Sequence, residues 1–508
     1  MLERKDSLRR FVAVIIALGI LGVVVWALKN FIQPNEEKTV NVNGTSNSFS
    51  DSLDEQMSFG EKNLVDRELT LNIPAFQEAK KQGMEGMAQK QYQKAVENFK
   101  NALAIAPNAP LTRIYLSNAE IGNAEAYTIA VPVPIQAKEK YDPIEALEML
   151  RGFAQAQYEI NQKGGIRGKR IKLQVIDDDD NPEIAKKIAE KLVQDKKVIG
   201  VMGHASSEVS LAVAPIYANG KLVFITPVST SNNLNNPDNA LNNGKRYVFR
   251  TNIDTQIAAQ NLVRYMHDTF DVHKVAVFYD NEKDSQYNRE LREEFTKILV
   301  NSYKGKIVYK DDLSKGGSNY PAKEKYKQAI EKGTQAFLLL PSSKTVTHAL
   351  DVISAIPKNT SESQGIKVLG DISNLYGSNT LNRGKDTQGM VLAVPLYLNS
   401  EDQFSRQAKE LWKDKIDSAW KTATSYDAAQ VFIEALKRNP ASEALPEEIC
   451  KEGFQAKGTS GDSLRFDCLD SSSPQQKVKL VQVSPPDSSN KQYHFKLIEH
   501  QPKNHKDD

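Results

Sequence analysis

Two short loops rich in hydroxyl side chains make this sequence suited to holding a small anion. The first loop follows the apolar run 198–202 and opens a helix, and the second follows the run 222–225. Their hydroxyl-bearing residues are Ser206 and Ser207 in the first loop and Ser229, Thr230 and Ser231 in the second. Neighbouring strands of a parallel sheet end at the same edge, so the two loops should lie together. Hydroxyls beside a helix N-terminus predict a site for a carboxylate.

The elements that would position these loops alternate between strand and helix from residue 126 onward. Apolar, β-branched runs recur at 127–135, 170–176, 198–202, 222–226, 274–280, 336–340, 366–370 and 389–396. Segments with helical periodicity separate most of them, at 143–162, 182–194, 207–218, 255–269, 286–299 and 344–356. This alternation predicts an α/β fold with parallel sheets and helices on both faces. The segment is too long for one doubly wound sheet, which predicts two lobes.

The same region offers little support for catalysis or metal binding. His204 stands near Ser206 and Ser207, but residues 203–207 lack the second glycine of a nucleophile elbow. Residues 177–180 are all aspartate, yet no loop with EF-hand spacing follows them. We therefore predict that the protein is not an enzyme and that it carries neither a metal site nor a cofactor.

The N-terminal region predicts export. Lys plus Arg number 66 and Asp plus Glu 64, so the charge balance does not suggest a nucleic-acid partner. Residues 11–28 carry no charge and, at about 1.5 Å per residue, span roughly 27 Å. Basic residues precede them, which predicts that residues 1–10 are cytoplasmic. We expect a single-pass inner (plasma) membrane anchor with the bulk of the chain in the periplasm or extracytoplasmic space. A cleaved signal peptide is the alternative.

Two segments of different character follow the predicted anchor. Residues 29–73 are polar and aperiodic, which predicts a flexible linker. Residues 74–125 have helical periodicity with a break at 89–91, and they resemble a single tetratricopeptide repeat. Such arrays usually need about three repeats, so the helices must pack on the next domain, on a partner chain or on each other. A partner-docking role and a role as a structural spacer both stay open.

The chain has two cysteines, Cys450 and Cys468. In an oxidising compartment they could form a disulfide, and two unpaired small residues are the alternative. Two cysteines are too few ligands for a zinc site.

Residues 126–500 resemble the type I periplasmic binding proteins, in the leucine/isoleucine/valine-binding branch of ABC-transporter receptors. The resemblance rests on segments in the family's order: AYTIAVPVPI, LRGFAQAQYEINQKGGIRGKRIKLQVIDDDDNPEIA, VIGVMGHASSEVSLAVAPIY, LVFITPVST, KVAVFYD, VLGD and TSYDAAQVFIEAL. It implies two Rossmann-like lobes that hold a ligand in the cleft between them. The implied bounds are about 126–249 and 394–465 for lobe 1, about 252–392 and 466–500 for lobe 2, and 501–508 for a tail.

The resemblance also implies roles for individual residues. Ser207, with Ser206 beside it, and Thr230, with Ser229 beside it, correspond to the residues that bind a ligand's α-carboxylate. Asp371 corresponds to the lobe 2 acid that meets the ligand's ammonium group. The alternative for Ser206 or Ser207 is a role as helix N-cap, which is compatible with anion binding.

Several positions depart from the family's pattern or carry a second interpretation. Tyr287 matches a cleft tyrosine, although it could equally be a residue packed at a helix start. Ser342 replaces another lobe 2 tyrosine, and the turn before Asp371 is shorter than usual. Residues 136–142 lack the glycine-rich ligand loop that family members usually supply.

Together these features predict a membrane-tethered solute receptor of an ABC transporter. Its ligand would be an amino acid of the branched-chain type or a related small amide or carboxylate, and its protein partner an ABC permease. One alternative is a sensor or adaptor without transport, in which the helical repeat docks a partner protein. Another is a cleft that has lost ligand binding and serves a structural role.

Overall fold

The structure, a computed structural model, describes residues 53–65, 68, 72–136, 143–281, 286–357, 365–398, 402–413, 420–466, 468, 478–488 and 490–499. The predicted anchor at 11–28 and the terminal segments 1–10 and 501–508 lie outside these ranges. Within the part of the chain that is described, none of the helices is both long enough and apolar enough to cross a bilayer.

The first sheet carries the strands that precede the two hydroxyl loops. Its strands are β1 Met57–Ser58, β2 Ala126–Val133, β3 Arg170–Asp177, β4 Val198–Met202, β5 Val223–Thr226 and β8 Val248–Arg250. They lie side by side in the order β1-β3-β2-β4-β5-β8. All of them pair in parallel except β1, which runs antiparallel along β3. A short ribbon of β6 Leu241–Asn242 and β7 Lys245–Arg246 precedes β8.

The second sheet is built from the chain between residues 274 and 394 and from two late strands. Its members are β9 Lys274–Tyr279, β10 Lys306–Asp312, β11 Ala336–Leu340, β12 Lys367–Gly370, β13 Val391–Val394, β16 Lys479–Ser484 and β17 His494–Leu497. Their order is β10-β9-β11-β12-β13-β16-β17. Neighbours among the first five strands pair in parallel, whereas β16 pairs antiparallel with β13, and β17 pairs antiparallel with β16. Every residue of β11 is buried, as expected for a strand covered on both faces. The predicted α/β fold with parallel sheets is confirmed.

Helices cover both sheets and connect their strands. Those before β9 are α1 Pro74–Ala88, α2 Tyr92–Ile105, α3 Pro110–Ile121, α4 Pro143–Gln162, α5 Pro182–Gln194, α6 Ser207–Asn219, α7 Pro237–Ala240 and α8 Thr255–Phe270. The later ones are α9 Gln286–Asn301, α10 Ala322–Glu331, α11 Val346–Ser354, α12 Ile372–Leu375, α13 Ser378–Asn382, α14 Gln403–Trp412, α15 Trp420–Arg438 and α16 Leu445–Cys450. A hairpin of β14 Ala456–Lys457 and β15 Ser463–Leu464 follows α16. We call the first sheet with its helices lobe 1 and the second sheet with its helices lobe 2.

Local sequence signals set several of these boundaries. The Asn181 side chain accepts hydrogen bonds from the first backbone N–H groups of α5, and Pro182 occupies the first helical position. The Gly165 N–H bonds to the Ile160 carbonyl after α4 ends, with a positive φ of 80° that glycine adopts without strain.

Helix α15 returns to lobe 1 from far along the chain and packs along α4. Gly152 permits the close approach, because a Cβ atom there would lie 2.1 Å from the Thr422 carbonyl oxygen. Thr422 Oγ1 in turn donates to the Glu148 carbonyl at 2.9 Å. The contact fixes the first turn of α15 beside the first turns of α4.

The last of the three N-terminal helices, α3, packs on lobe 1. Helix α3 contacts both α4 and β3. The Asn118 amide donates to the Leu173 carbonyl at 2.7 Å and accepts from the Leu173 N–H at 3.1 Å, so one side chain satisfies both polar groups of a strand residue. Helices α1 and α2 pack on each other and on α3, and α3 packs on the adjoining domain, so two of the three packing options for this segment occur together.

The chain before these helices also lies against lobe 1. Strand β1 extends the first sheet, with Met57 opposite Ile176. The buried Glu68 carboxylate lies 2.9 Å from the Lys80 ammonium and accepts from the Thr112 N–H at 2.8 Å. The predicted flexible linker at 29–73 was therefore wrong for the described residues between 57 and 68. A strand of two residues and one buried acid leave no periodic signal in the sequence.

Cys450 and Cys468 form a disulfide with their Cα atoms 5.5 Å apart. The Cys468 carbonyl accepts from Arg246 Nε at 3.0 Å. The bridge therefore ties the end of α16 to the chain that follows β15, next to the β6–β7 ribbon.

Candidate functional site

The two hydroxyl loops lie together at the carboxyl ends of β4 and β5. These strands pair in parallel, with Met202 opposite Ile225, so the loops leave the sheet side by side. Ser229 Oγ donates to Ser207 Oγ at 3.1 Å, and both side chains are buried. Thr226 Oγ1 is hydrogen-bonded to both loops: it donates to the His204 carbonyl at 3.0 Å and accepts from the Ser229 N–H at 3.2 Å.

A buried chain of hydrogen bonds through the His204 side chain supports the first loop. The His204 ring contacts the Asp178 carboxylate at 2.7 Å on one side and the Tyr217 hydroxyl at 3.0 Å on the other. His204 has a positive φ of 43°, an unusual conformation for a side chain of this size. Gly203 before it allows close approach to β2, since a Cβ atom would lie 2.2 Å from the Pro132 carbonyl oxygen. His204 is thus part of the scaffold of the loop.

Ser206 and Thr230, two predicted carboxylate ligands, differ in whether the side-chain oxygen already has a hydrogen-bond partner. Ser206 caps α6, and its side chain accepts from the Val209 N–H at 3.2 Å. Thr230 is 4% exposed, and its Oγ1 has no hydrogen-bond partner. The Thr230 carbonyl is anchored by the Thr255 N–H at 2.9 Å. Thr230 therefore presents an unsatisfied hydroxyl from a fixed backbone position.

Asp371 follows β12 in lobe 2 and is fully buried. Its Oδ1 caps the short helix α12 by accepting from the Ser373 N–H at 2.7 Å and the Asn374 N–H at 3.0 Å. Its Oδ2 has no partner. Burial raises the pKa of Asp371 to about 7, although these N–H groups and the Lys421 ammonium act to lower it.

Tyr287 of lobe 2 and Lys421 of lobe 1 both interact electrostatically with Asp371. Burial, and then the nearby Asp371 charge, hold the pKa of the Tyr287 phenol well above its usual range. Lys421 belongs to α15 in lobe 1, and its ammonium forms an ion pair with Glu145 of α4. Because Lys421 lowers the pKa of Asp371, the lobe 2 carboxylate lies within electrostatic reach of lobe 1.

Ser342 is part of a polar cluster at the carboxyl ends of β9 and β11. Its hydroxyl donates to Asp280 Oδ2 at 2.6 Å, and Thr345 Oγ1 donates to the same oxygen at 2.9 Å. The serine thus supports the turn after β11 where the resemblance would have a stacking tyrosine.

The lobe 1 loop before α4 is described only up to residue 136. Asp177 Oδ1 accepts from the backbone N–H groups of Ile135 and Gln136 at 3.0 and 3.3 Å. Burial raises the pKa of Asp177 to about 6. Residues 137–142, where the sequence departs from the family's pattern, lie outside the described residues.

Sequence reasoning missed Glu290, which joins the two lobes. This buried residue of α9 in lobe 2 accepts from the Ser231 hydroxyl at 2.5 Å, the Asn232 N–H at 3.1 Å and the Asn233 amide at 3.2 Å. All three donors belong to the second hydroxyl loop of lobe 1. The one available signal was an acid next to Leu291 on the buried face of a helix. Lys421 and Glu145 were missed as well, since each looks like an ordinary surface charge in the sequence.

A separate cavity of about 380 Å³ lies on lobe 1 between α4, α14 and α15. Its walls include Glu159, Lys163 and Tyr426, and none of the predicted ligand residues. Two of these lining residues are bonded to each other, since the Tyr426 hydroxyl donates to the Glu159 carboxylate at 2.7 Å. The cavity is therefore distinct from the hydroxyl loops and from Asp371.

Comparison with known proteins identifies relatives of this fold. A family model described as periplasmic binding protein matches residues 137–485. The chain is 31% identical over 172 residues to an amino acid binding protein of Pseudomonas aeruginosa. It is 27% identical over 171 residues to the leucine-specific-binding protein of Salmonella typhimurium. Each alignment covers 34% of this chain and 43% of the relative, so the chain matches less than half the length of these curated proteins.

Solved structures match over a larger part of the chain. The branched-chain amino acid transporter substrate-binding protein LivJ of Streptococcus pneumoniae, in complex with isoleucine, has a TM-score of 0.57 and 17% identity, and the match covers 74% of this chain and 100% of that one. A solute-binding protein of Rhodopseudomonas palustris HaA2, in complex with p-hydroxybenzoic acid, has a TM-score of 0.58 and 14% identity over 73% and 96% of the two chains. At these identities the likeness shows the fold alone.

The relatives share one kind of activity. They are solute-binding proteins and not enzymes, which confirms the prediction that this chain is not an enzyme. The family implies an extracytoplasmic location. Because the family match spans more than half of the sequence and agrees with the two-sheet α/β fold, the chain belongs to the periplasmic binding protein family.

Proposed function

We propose that this protein is the receptor of an ABC transporter and that it binds an amino acid of the branched-chain type between its two lobes. The observation that carries the proposal is a pair of buried polar atoms without partners. Thr230 Oγ1 stands among the lobe 1 hydroxyls, and Asp371 Oδ2 stands on lobe 2. Such atoms are costly when they stay unsatisfied, so a ligand that pairs with both is favoured.

The chemistry of the two sides supports an amino acid in particular. Hydroxyls and the N-terminus of α6 favour a carboxylate, with Ser207 and Thr230 as its ligands. An ionised Asp371 favours an ammonium group. An α-amino acid carries both groups on one carbon, whereas a hydroxybenzoate offers no cation to Asp371. Relatives named for leucine and isoleucine support an aliphatic side chain.

The mechanism that we propose is closure of the lobes on the ligand. Lobe 1 would hold the carboxylate first, and lobe 2 would then bring Asp371 to the ammonium. A ligand that contacts both lobes stabilises the closed state, and the closed surface is what a permease would recognise. Glu290 already joins α9 to the second hydroxyl loop, so closure and the shape of the carboxylate site are physically connected.

The placement of the chain in the cell is part of the same proposal. Residues 11–28 would anchor the protein in the inner membrane and leave the binding lobes outside the cytoplasm. Helix α3 is buried along most of its length and contacts α4 and β3 of lobe 1, which supports a structural role for this segment. Use of the same helices to dock a partner in a sensor or adaptor is the competing hypothesis.

A ligand screen tests the proposal. The full chain in detergent would be heated with leucine, isoleucine, valine, their amides, urea and hydroxybenzoates. A ligand that binds only the folded state increases the free energy of unfolding, by about 2.7 kcal/mol at a hundred times its Kd, and this increase raises the melting temperature. A rise with branched-chain amino acids supports the receptor. An unchanged, cooperative melt with every compound would contradict it and favour the sensor or structural hypotheses.

A further inference from the structure

A cluster of potential metal ligands lies in lobe 2, at the end of the sheet opposite to the cleft. His267, Asp271 and His273 each place one ligand-capable atom within 4.8 Å of the others. His273 immediately precedes β9, whereas Asp371 and Ser342 follow the carboxyl ends of their strands. The cluster is thus separate from the proposed ligand site.

The backbone fixes the spacing of the three side chains. His267 is in the last turn of α8, and its carbonyl accepts from the Asp271 N–H at 2.8 Å. Asp271 ends the helix in the left-handed conformation with φ 54°, which aspartate tolerates better than most residues. The His273 N–H donates to Gln335 Oε1 at 2.9 Å, which holds the start of β9 against the neighbouring strand.

The distances suit one small metal ion. His273 Nε2 lies 3.1 Å from Asp271 Oδ1. Two ligands at about 2.0–2.1 Å from a tetrahedral zinc ion lie roughly 3.3 Å apart. The two imidazole rings are 5.1 Å apart and nearly perpendicular, so a ring nitrogen of each can approach the same point with little rotation.

A further carboxylate orients one of the imidazoles. His267 Nδ1 lies 3.2 Å from Asp268 Oδ1, and the Asp268 side chain is largely buried. A hydrogen bond between a ring N–H and a carboxylate fixes the tautomer and leaves Nε2 free to bind metal. The His267 ring also packs against Tyr303, with the ring centres 4.7 Å apart.

The geometry points to a divalent transition-metal site at His267, Asp271 and His273, with Zn²⁺ as the ion that fits best. Two imidazoles and one carboxylate suit zinc, whereas calcium and magnesium prefer oxygen ligands. Three protein ligands leave one coordination position open. The Asp271 and His273 side chains are 86% and 41% exposed, so this position faces solvent, where water or a group from another molecule completes the site.

Calorimetric titration of the metal-stripped full chain, without a histidine tag, tests the site. We expect one equivalent of Zn²⁺ to bind in the wild type. His273→Gln should weaken binding at least tenfold, and because the residue is partly exposed the variant should melt at nearly the wild-type temperature. His494→Gln is the matched control, since His494 also faces a carboxylate, Asp487, at 3.5 Å but belongs to no three-ligand cluster among the described residues. The control should bind as the wild type does.

Cobalt gives a direct second measurement. Co²⁺ bound to the proposed ligands should show the visible absorption of a low-coordinate site, and this absorption should be lost in His267→Gln. Asp268→Asn should weaken Zn²⁺ binding by about 10- to 100-fold, as is typical when the partner of a ligating histidine is removed. The inference is overturned if no equivalent of Zn²⁺ binds. It is equally overturned if His267→Gln and His273→Gln both bind like the wild type.

Discussion

At the scale of single residues, two of the proposed ligand-binding side chains have hydrogen-bonding capacity that no described residue uses. Thr230 Oγ1 and Asp371 Oδ2 are buried and unpartnered, although neighbouring atoms of both residues are well bonded. An unsatisfied buried polar group costs about 1–3 kcal/mol. A bound ligand would remove this cost on both lobes at once, which is the physical basis of the proposed recognition.

The hydroxyl pair gives the first prediction. Changing Ser207 and Thr230 together to alanine should weaken amino-acid binding at least about tenfold, since each hydrogen bond to a charged group contributes about 1.5–3 kcal/mol. Titration calorimetry measures the change. Thr334→Ala is the control, because this buried hydroxyl donates to the Ala329 carbonyl before β11, away from the cleft. Unchanged ligand affinity in the double variant would show that the carboxylate is bound elsewhere.

Asp371 gives a prediction about pH. Its pKa is about 7, so its carboxylate ionises as the pH rises through neutrality. Affinity for a ligand ammonium should therefore rise about tenfold between pH 6 and pH 8. In Asp371→Asn this dependence should disappear, and binding should be weak at both values. Asp427→Asn is the matched control, because burial also raises the pKa of Asp427 to about 7 but the residue bonds to Thr459 within lobe 1.

In the ligand-free protein, the stability that Asp371 contributes should fall as the pH rises, whereas ligand affinity should rise. A folded-state pKa raised from 3.8 to about 7 means that the folded protein binds the Asp371 proton more tightly than the unfolded chain does. The contribution of Asp371 to the free energy of unfolding should then be greatest below about pH 4 and fall as the pH rises to about 7. Denaturant unfolding across this range measures it. A smaller fall in Asp371→Asn is expected, and an identical fall would contradict the assignment.

At the scale of elements, a buried charge network joins the chain before α1 to the N-terminal helices α1 and α3. Glu68 pairs with Lys80 of α1 and accepts two hydrogen bonds from Thr112 of α3. Both charged side chains are almost completely buried. The network fixes the chain before α1 to the helices that follow it, although a propensity argument over the same residues predicts a polar linker.

Glu68→Gln should reveal this role. Removing one partner leaves the Lys80 charge uncompensated in the interior, which typically costs about 3–5 kcal/mol. Denaturant unfolding should show a loss of that size. Glu85→Gln is the control, because the Lys81–Glu85 pair on the same helix is solvent-exposed and should contribute at most about 1 kcal/mol. Equal and small losses in both variants would mean that the network does not stabilise the segment.

The elements that the sequence predicted well are those with a continuous apolar run or a clear periodicity. Apolar runs place β4 and β5, and with them the two hydroxyl loops, because a buried parallel strand needs continuous apolar residues. The contact between Ser207 and Ser229 follows from that placement. The roles of Glu290 and Lys421 depend on packing between distant segments, and no local pattern encodes such packing. Strand β1 is too short to have a pattern.

At the scale of the whole molecule, Glu290 connects the proposed ligand site to the arrangement of the lobes. It lies on a helix of lobe 2, yet its hydrogen bonds go to the loop of lobe 1 that carries Thr230. A change in the relative position of the lobes therefore acts on the site itself. This connection is what a receptor needs in order to report occupancy through its shape.

Glu290→Gln should weaken ligand binding about tenfold without removing a proposed ligand contact, because the loop loses charge-assisted hydrogen bonds. Small-angle scattering should also show a larger radius of gyration for the ligand-free variant. Glu294→Gln, one turn further along α9, alters a surface pair with Lys297 and should change neither quantity. If Glu290→Gln matches this control in both measurements, the residue does not couple the lobes.

Calorimetric titration of the full chain with leucine, 4-methylpentanoate and leucinamide tests the central claim most directly. These compounds share one side chain and differ only in the ammonium or the carboxylate group. We predict that leucine binds, and that loss of either group weakens binding by tenfold or more, because in the proposed site lobe 1 would hold the carboxylate and Asp371 the ammonium. Equal binding of leucine and 4-methylpentanoate, or no binding of leucine, would contradict the account.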